Sequence, residues 1–242
     1  MLISGLQKTT LLDYPGHIAC TIFLGHCNLR CPFCHNMELV LHPEKYPKYS
    51  IDDIITYLEG RKGKLDGVAI TGGEPLLNSD IDTLIKPIKD LSFKVKIDTN
   101  GFFPEQIRHL IDEKLVDMFA MDIKAGFSNY NKVIGMNNNT INNNEFDLNN
   151  IKNKIENSIS LIKNSGIEYE FRTTCVKGLH EANDFYEIRE MISGANKYFL
   201  QNFKKAPDME DLPYESFTKD ELSEFQDIVK NSVKHVEIRG ID

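Results

Sequence analysis

Short apolar runs of strand length alternate along this chain with stretches in which apolar residues recur every three or four positions. The runs fall at residues 18–24, 67–71, 94–98, 116–123, 167–174, 198–203 and 235–239. Between the first two, Ile51, Ile54, Ile55 and Leu58 share one face of a helix that Ser50 can cap. A second helix is predicted over 79–91, bent or begun afresh at Pro87, and a third over 104–113, with proline at its first turn. Ile151, Ile155, Ile159 and Ile162 mark a helix stopped by Gly166; others are predicted over 184–192 and from Thr218, where Glu221 three residues on completes a capping box. Residues 1–17 read as a lead-in with a turn at 13–16, and the asparagine-dominated stretch 137–150 reads as a solvated loop. Strands separated by single helices pair in parallel through right-handed crossovers, so the pattern predicts an α/β fold, one domain over 1–242.

The faces of these strands refine the picture. Asp98 and Asn100 share a face, as do Asp122 and Lys124, and as do Glu168, Glu170 and Arg172. The opposite faces, with Val95, Ile97, Tyr169 and Phe171, are apolar and suit contact with outer helices. One strand of this kind would read as ordinary solvent-facing alternation. Consecutive strands that turn polar on one face toward their C-terminal ends instead predict a barrel with a polar cavity at that end, where barrel enzymes place their chemistry.

Composition narrows the class of function. With 41% hydrophobic and 26% charged residues over 242 positions, the chain can bury a full core. A net charge of -8, from 28 basic and 36 acidic residues, argues against broad contact with nucleic-acid phosphates. No apolar run is long enough to cross a bilayer and no signal region is evident, so a cytoplasmic protein without membrane contact is expected. Five cysteines, an odd number with three crowded together, do not form a disulfide framework and fit a reducing compartment. Cys20 and Cys175 lie on predicted strands and read as small core residues.

The remaining three thiols, Cys27-x3-Cys31-x2-Cys34, sit in a loop over 25–36, directly after the first strand. As a zinc site they would draw His35 as fourth ligand, although adjacent residues chelate one ion poorly. As a redox dithiol, Cys31 and Cys34 have suitable spacing but leave Cys27 without a role. As an iron-sulfur site, three thiolates leave one iron of a cubane open to a substrate or cofactor.

That spacing, with Phe33 before the last cysteine, resembles the radical S-adenosylmethionine (SAM) superfamily. Thr71-Gly72-Gly73-Glu74-Pro75 resembles its motif for the amino group of SAM. Asp98-Thr99-Asn100-Gly101 and Met121-Asp122-Ile123-Lys124 resemble motifs of glycyl radical enzyme activating enzymes. The opening over 5–16, with Cys34-His35-Asn36, is similar to anaerobic ribonucleoside-triphosphate reductase activating proteins.

The resemblance implies a partial (β/α)6 barrel of TIM type and one 4Fe-4S cluster on Cys27, Cys31 and Cys34. SAM would chelate the open iron, flanked by Phe33 and the His35 backbone at the adenine, by Gly73 and Glu74 at the amino group, and by Ile123, Lys124 and Arg172 toward the carboxylate. Asp98 and Asp122 match residues that in some activases hold a monovalent cation. From the residues alone, the alternatives are that Lys124 is a surface lysine, Arg172 a partner of Glu168 or Glu170, and Asp98 a turn cap. Some relatives place a histidine near the end of the sixth strand; here that region reads Leu200-Gln201-Asn202-Phe203. The implied reaction is reductive cleavage of SAM and transfer of the radical to a glycine of a partner enzyme, anaerobic ribonucleotide reductase, with flavodoxin or ferredoxin as electron donor. Another glycyl radical enzyme or a small molecule is the alternative substrate; a non-catalytic iron-sulfur or zinc protein is the remote one.

Overall fold

The structure is a computed structural model that describes residues 1–136, 147–206 and 209–241. Its centre is an eight-stranded sheet in which spatial order follows chain order: β1 (Ile3–Thr10), β2 (Ala19–Leu24), β3 (Gly67–Gly72), β4 (Lys94–Thr99), β5 (Met118–Asp122), β6 (Glu168–Cys175), β7 (Lys197–Asn202) and β8 (His235–Arg239). From β2 onward every pairing is parallel. The helices are α1 (Met37–Leu41), α2 (Ile51–Glu59), α3 (Asp82–Asp90), α4 (Pro104–Asp112), α5 (Tyr130–Val133), α6 (Leu148–Asn164), α7 (Ala182–Met191) and α8 (Lys219–Val229). Ordered sequentially, with β1 and β8 left unpaired to each other, the strands form an open barrel of the kind expected.

Local chemistry sets several boundaries. Ser50 Oγ accepts from the Asp53 N–H at 3.1 Å while the Asp53 carboxylate accepts from the Ser50 N–H at 2.8 Å, a reciprocal box that starts α2. Thr218 and Glu221 do the same for α8. Pro104 occupies the first turn of α4, and Gly166 follows the last turn of α6 in the left-handed region at φ +74°.

Three expectations need correction. Residues 1–17 are more than a lead-in, because β1 runs antiparallel to β2 with two register shifts, and its outer half exposes Gln7, Lys8 and Thr9. The helix expected from residue 79 begins at Asp82 and passes through Pro87 without restarting. The asparagine-rich loop is shorter than 137–150, since α6 begins at Leu148; residues 137–146 lie outside the described residues.

Register explains how the sheet divides core from cavity. Val68, Ile70, Val95, Ile97, Phe119, Met121, Tyr169 and Phe171 alternate onto the face that packs against helices, and all are buried in one core cluster. The other face carries Thr21, Ala69, Lys96, Asp98, Ala120, Asp122, Glu170 and Arg172, paired as Thr21 with Ala69, Ala69 with Lys96, Asp98 with Ala120, and Asp122 with Arg172. Small residues at 21, 69 and 120 leave the volume that the long charged side chains occupy.

Candidate functional site

The thiol loop leaves β2 and is fastened to the end of β3. The Gly73 N–H donates to the Leu24 carbonyl at 2.8 Å and the Glu74 N–H to the His26 carbonyl at 2.9 Å. Two glycines are needed there because the backbones nearly touch: a Cβ on Gly73 would lie 1.7 Å from the His26 carbonyl oxygen, and Gly72 has φ +113°. Asn36 closes the loop by donating its Nδ2 to the Gly72 carbonyl at 2.8 Å. Arg30 braces it from outside, its Nη1 donating to the carbonyls of Cys27 and Leu29 at 2.7 Å each.

Cys27, Cys31 and Cys34 line one cleft with Phe33, Gly73, Glu74, Asp98, Asp122, Lys124 and Arg172. Its cavity volume is about 180 Å³, below the ~300–1,000 Å³ common for small-molecule sites. Burial pushes the Cys27 thiol up to about 12 and the Cys31 thiol up to about 11, so both stay protonated near neutrality until a metal supplies the compensating charge. The donor set fits an iron-sulfur cluster better than zinc. The ring of His35 stacks on Phe203 and its Nε2 lies 2.7 Å from the Lys204 carbonyl, so it is not turned to the thiols. Among the described residues, no three or more His, Cys, Asp or Glu side chains are arranged around a single ion.

Glu74 is 1% exposed and its carboxylate braces the end of β4. It accepts from Thr99 Oγ1 at 2.8 Å, the Asn100 N–H at 2.7 Å and the Leu76 N–H at 3.1 Å. Burial nonetheless lifts its pKa to about 7, outweighing these donors.

On the far wall the charges are chained. Asp122 accepts from Lys124 Nζ at 3.0 Å and from Arg172 Nε at 2.9 Å; Arg172 Nη1 reaches Asp98 at 3.4 Å and Glu170 at 3.9 Å. Glu170 is held mainly by Arg239, at 2.9 and 3.0 Å, and Glu168 by Lys197, at 2.8 Å. Burial raises the Asp122 pKa, but Arg172 and then Lys124 overcome it and hold the carboxyl down at about 2. Asp98 is lowered in the same way, burial being outweighed by Arg172 and Lys96. Burial opposes the Lys124 ammonium too, and Asp122 more than compensates, raising its pKa.

Lys124 is aimed by its backbone. The His180 Nδ1 accepts from the Val176 N–H at 3.1 Å, which leaves the proton on Nε2 to donate to the Lys124 carbonyl at 2.8 Å. Burial lowers the His180 pKa and keeps the ring neutral. Its edge meets Phe33, centroids 6.3 Å apart, so one imidazole supports both walls of the cleft. Ile123 does not line the cleft: its side chain is in the core, its N–H donates to the Arg172 carbonyl at 2.8 Å, and its own carbonyl accepts from Thr173 at 2.7 Å. At the end of β7, Asn202 is occupied with the Phe217 backbone, at 2.8 and 3.0 Å.

Residues 21–192 match the radical SAM superfamily. The chain belongs to that superfamily. Over 244 aligned residues, all of this radical SAM chain is 33% identical to 97% of a protein of Methanocaldococcus jannaschii named, provisionally, as a glycyl-radical enzyme activating enzyme. A second M. jannaschii protein with the same provisional name is 35% identical over 130 residues, 52% of this chain and 44% of that one. Among solved structures, SuiB of Streptococcus suis superposes with a TM-score of 0.66 at 15% identity, covering 91% of this chain. The match covers 49% of SuiB, so this chain spans about half its length, and at that identity the likeness concerns the fold. SuiB bound to S-adenosylmethionine superposes with a TM-score of 0.65.

Sequence reasoning missed Arg30, Lys96 and His180 and left Asn100 without a role. Asn100 Nδ2 donates to Asn28 Oδ1 at 2.8 Å and lies 3.8 Å from Cys27 Sγ, while the Leu29 N–H lies 3.4 Å from the same sulfur. N–H donors to a ligand sulfur raise a cluster's reduction potential. Asn100→Leu is therefore expected to lower the midpoint potential of the reconstituted protein by about 59 mV, a tenfold shift in a one-electron equilibrium. A redox titration followed by electron paramagnetic resonance (EPR) reads it; an unchanged potential refutes the assignment.

Proposed function

We propose that this protein is a radical SAM activase that generates a glycyl radical on a partner enzyme, the anaerobic ribonucleotide reductase. The observation that carries the reading is one cleft at the C-terminal strand ends, lined by three thiols on one side and by the Asp122, Lys124 and Arg172 group on the other. Cys27, Cys31 and Cys34 would hold a 4Fe-4S cluster. When bound, the cluster supplies an electron for reductive cleavage of the sulfonium of SAM, the source of a 5'-deoxyadenosyl radical.

The chain's own residues do the positioning. Lys124 and Arg172 present cationic donors to the carboxylate of SAM, Gly73 and Glu74 face its ammonium, and Phe33, held by His180, packs beside the adenine with the His35 backbone. The unpaired gap between β1 and β8 leaves the barrel side open to a partner's loop. The relatives in M. jannaschii support glycyl radical chemistry. The choice of ribonucleotide reductase rests on the resemblance of the segment over 5–16. Flavodoxin or ferredoxin would supply the electron, and five cysteines, an odd number with three crowded together, suit a reducing cytoplasm.

Glu74 makes SAM binding pH-dependent. With its pKa at about 7 in the free protein, the carboxyl must lose a proton before it can pair with an ammonium. Affinity is expected to rise about tenfold per pH unit below about pH 7 and to level off above, with one proton released per SAM bound on the acid side. Calorimetry in buffers of different ionisation enthalpy counts that proton; affinity independent of pH contradicts the pairing.

The function itself is tested by incubating the anaerobically reconstituted protein with reductant, SAM and the ribonucleotide reductase. The expected product is a glycyl EPR doublet on the reductase. Its absence, with SAM turned over, would exclude this partner.

A further inference from the structure

The seven ionic side chains linked through Arg172 do not balance. Lys96, Lys124, Arg172 and Arg239 face Asp98, Asp122 and Glu170, four cations against three carboxylates. The four members that line the cleft, Asp98, Asp122, Lys124 and Arg172, balance, so the one excess positive charge lies behind the wall that, on the reading above, receives the carboxylate of SAM. Lys96 supplies that excess from beneath the floor: it is 1% exposed and does not line the cleft, and its Nζ is seated on Asp98 Oδ1.

A monovalent cation at Asp98 and Asp122 does not fit this arrangement. Both oxygens of Asp98 already face a protein cation, Lys96 on one and Arg172 on the other. So do both of Asp122, Arg172 on one and Lys124 on the other. A bound ion would have to displace one of them, and would raise the excess from one charge to two.

We propose that Lys96 is this protein's built-in counterpart of the bound cation, a positioning residue that fixes Asp98, and through it Arg172, for a carboxylate ligand without a bound monovalent cation. The inference rests on SAM being that ligand. Covalent attachment at the chain makes the charge permanent, so the site does not respond to the Na⁺ or K⁺ concentration around it.

The test measures SAM affinity of the cluster-loaded protein in K⁺, in Na⁺ and in a bulky organic cation at matched ionic strength. The wild-type protein is expected to bind equally in all three. Lys96→Ala opens a space on Asp98 that a small ion can enter; affinity is expected to fall about tenfold or more in the bulky cation and to recover in K⁺ or Na⁺. Lys96→Met fills that space without charge, and its affinity is expected to stay low in every buffer. Wild-type binding that requires K⁺ or Na⁺ would overturn the inference alone, even where a variant fails to fold. So would a folded Lys96→Ala protein that binds at wild-type affinity in the bulky cation. No SAM binding by the wild-type protein in any buffer would overturn the reading beneath it as well.

Discussion

A Gly73→Ala protein is expected to keep its fold and lose its cluster. The added Cβ would stand 1.7 Å from the His26 carbonyl oxygen and 2.5 Å from its carbon, and both are backbone atoms that no rotamer change can move aside. His26 is already in the left-handed region at φ 67°, and the next residue is Cys27. Relief therefore comes by separating the end of β3 from the thiol loop, at the expense of the two N–H···O=C bonds that join them. Overpacking of this kind costs about 1–3 kcal/mol, which a domain of this size can absorb. A ligand set, by contrast, must hold its geometry to within about 0.5 Å. Iron and sulfide content after reconstitution should fall about tenfold, with the circular dichroism of the apo-protein unchanged. Gly63→Ala is the control: φ is +73° but no atom lies within 4 Å of the added carbon, so it should lose stability through backbone strain alone and load normally. Equal loading of the two variants would contradict this account of the glycine pair.

Arg172→Met is expected to damage stability and SAM binding together. The guanidinium is the shared partner of Asp98 and Asp122, with Glu170 at 3.9 Å, so its removal leaves partly buried carboxylates confronting one another. Breaking a fully buried ion pair from one side costs about 3–5 kcal/mol, and the partial exposure of Asp98 and Asp122 puts this loss below that range. The pH dependence separates this cause from lost packing. In the wild-type protein Asp122 titrates at about 2, below its unfolded value of 3.8, and Asp98 is lowered as well. The stability these groups contribute is therefore present above about pH 4 and lost as pH falls toward about 2. In the variant their pKa values rise, so protonation begins at higher pH and relieves the repulsion. The deficit measured by urea unfolding should be largest near pH 7 and shrink near pH 4. A deficit equal at both would assign the effect to packing.

The elements that were legible in the sequence are those whose signals are local. Ser50 with Asp53 and Thr218 with Glu221 start helices through bonds made within three residues, and the apolar strand runs are buried on the helix-facing side regardless of what lies opposite. β1 was hidden because an edge strand with exposed Gln7, Lys8 and Thr9 and two register shifts carries no apolar period. Lys96 was hidden for a different reason. Lys94-Val95-Lys96-Ile97 alternates as a solvent-facing strand would, and only closure of the sheet turns Lys96 inward while Lys94 at the strand's start stays exposed. Asp98, Asp122, Lys124 and Arg172 were legible because their polarity recurs at the same end of successive strands. His180 lies in the loop between β6 and α7, and no periodicity announces a residue that acts through another's carbonyl.

The most direct measurement is product analysis of the wild-type protein after anaerobic reconstitution with iron and sulfide, addition of reductant and incubation with SAM. Methionine and 5'-deoxyadenosine are expected in equal amounts, and neither is expected from a Cys31→Ala protein. A fully loaded, reduced cluster that binds SAM and yields neither product would contradict the account.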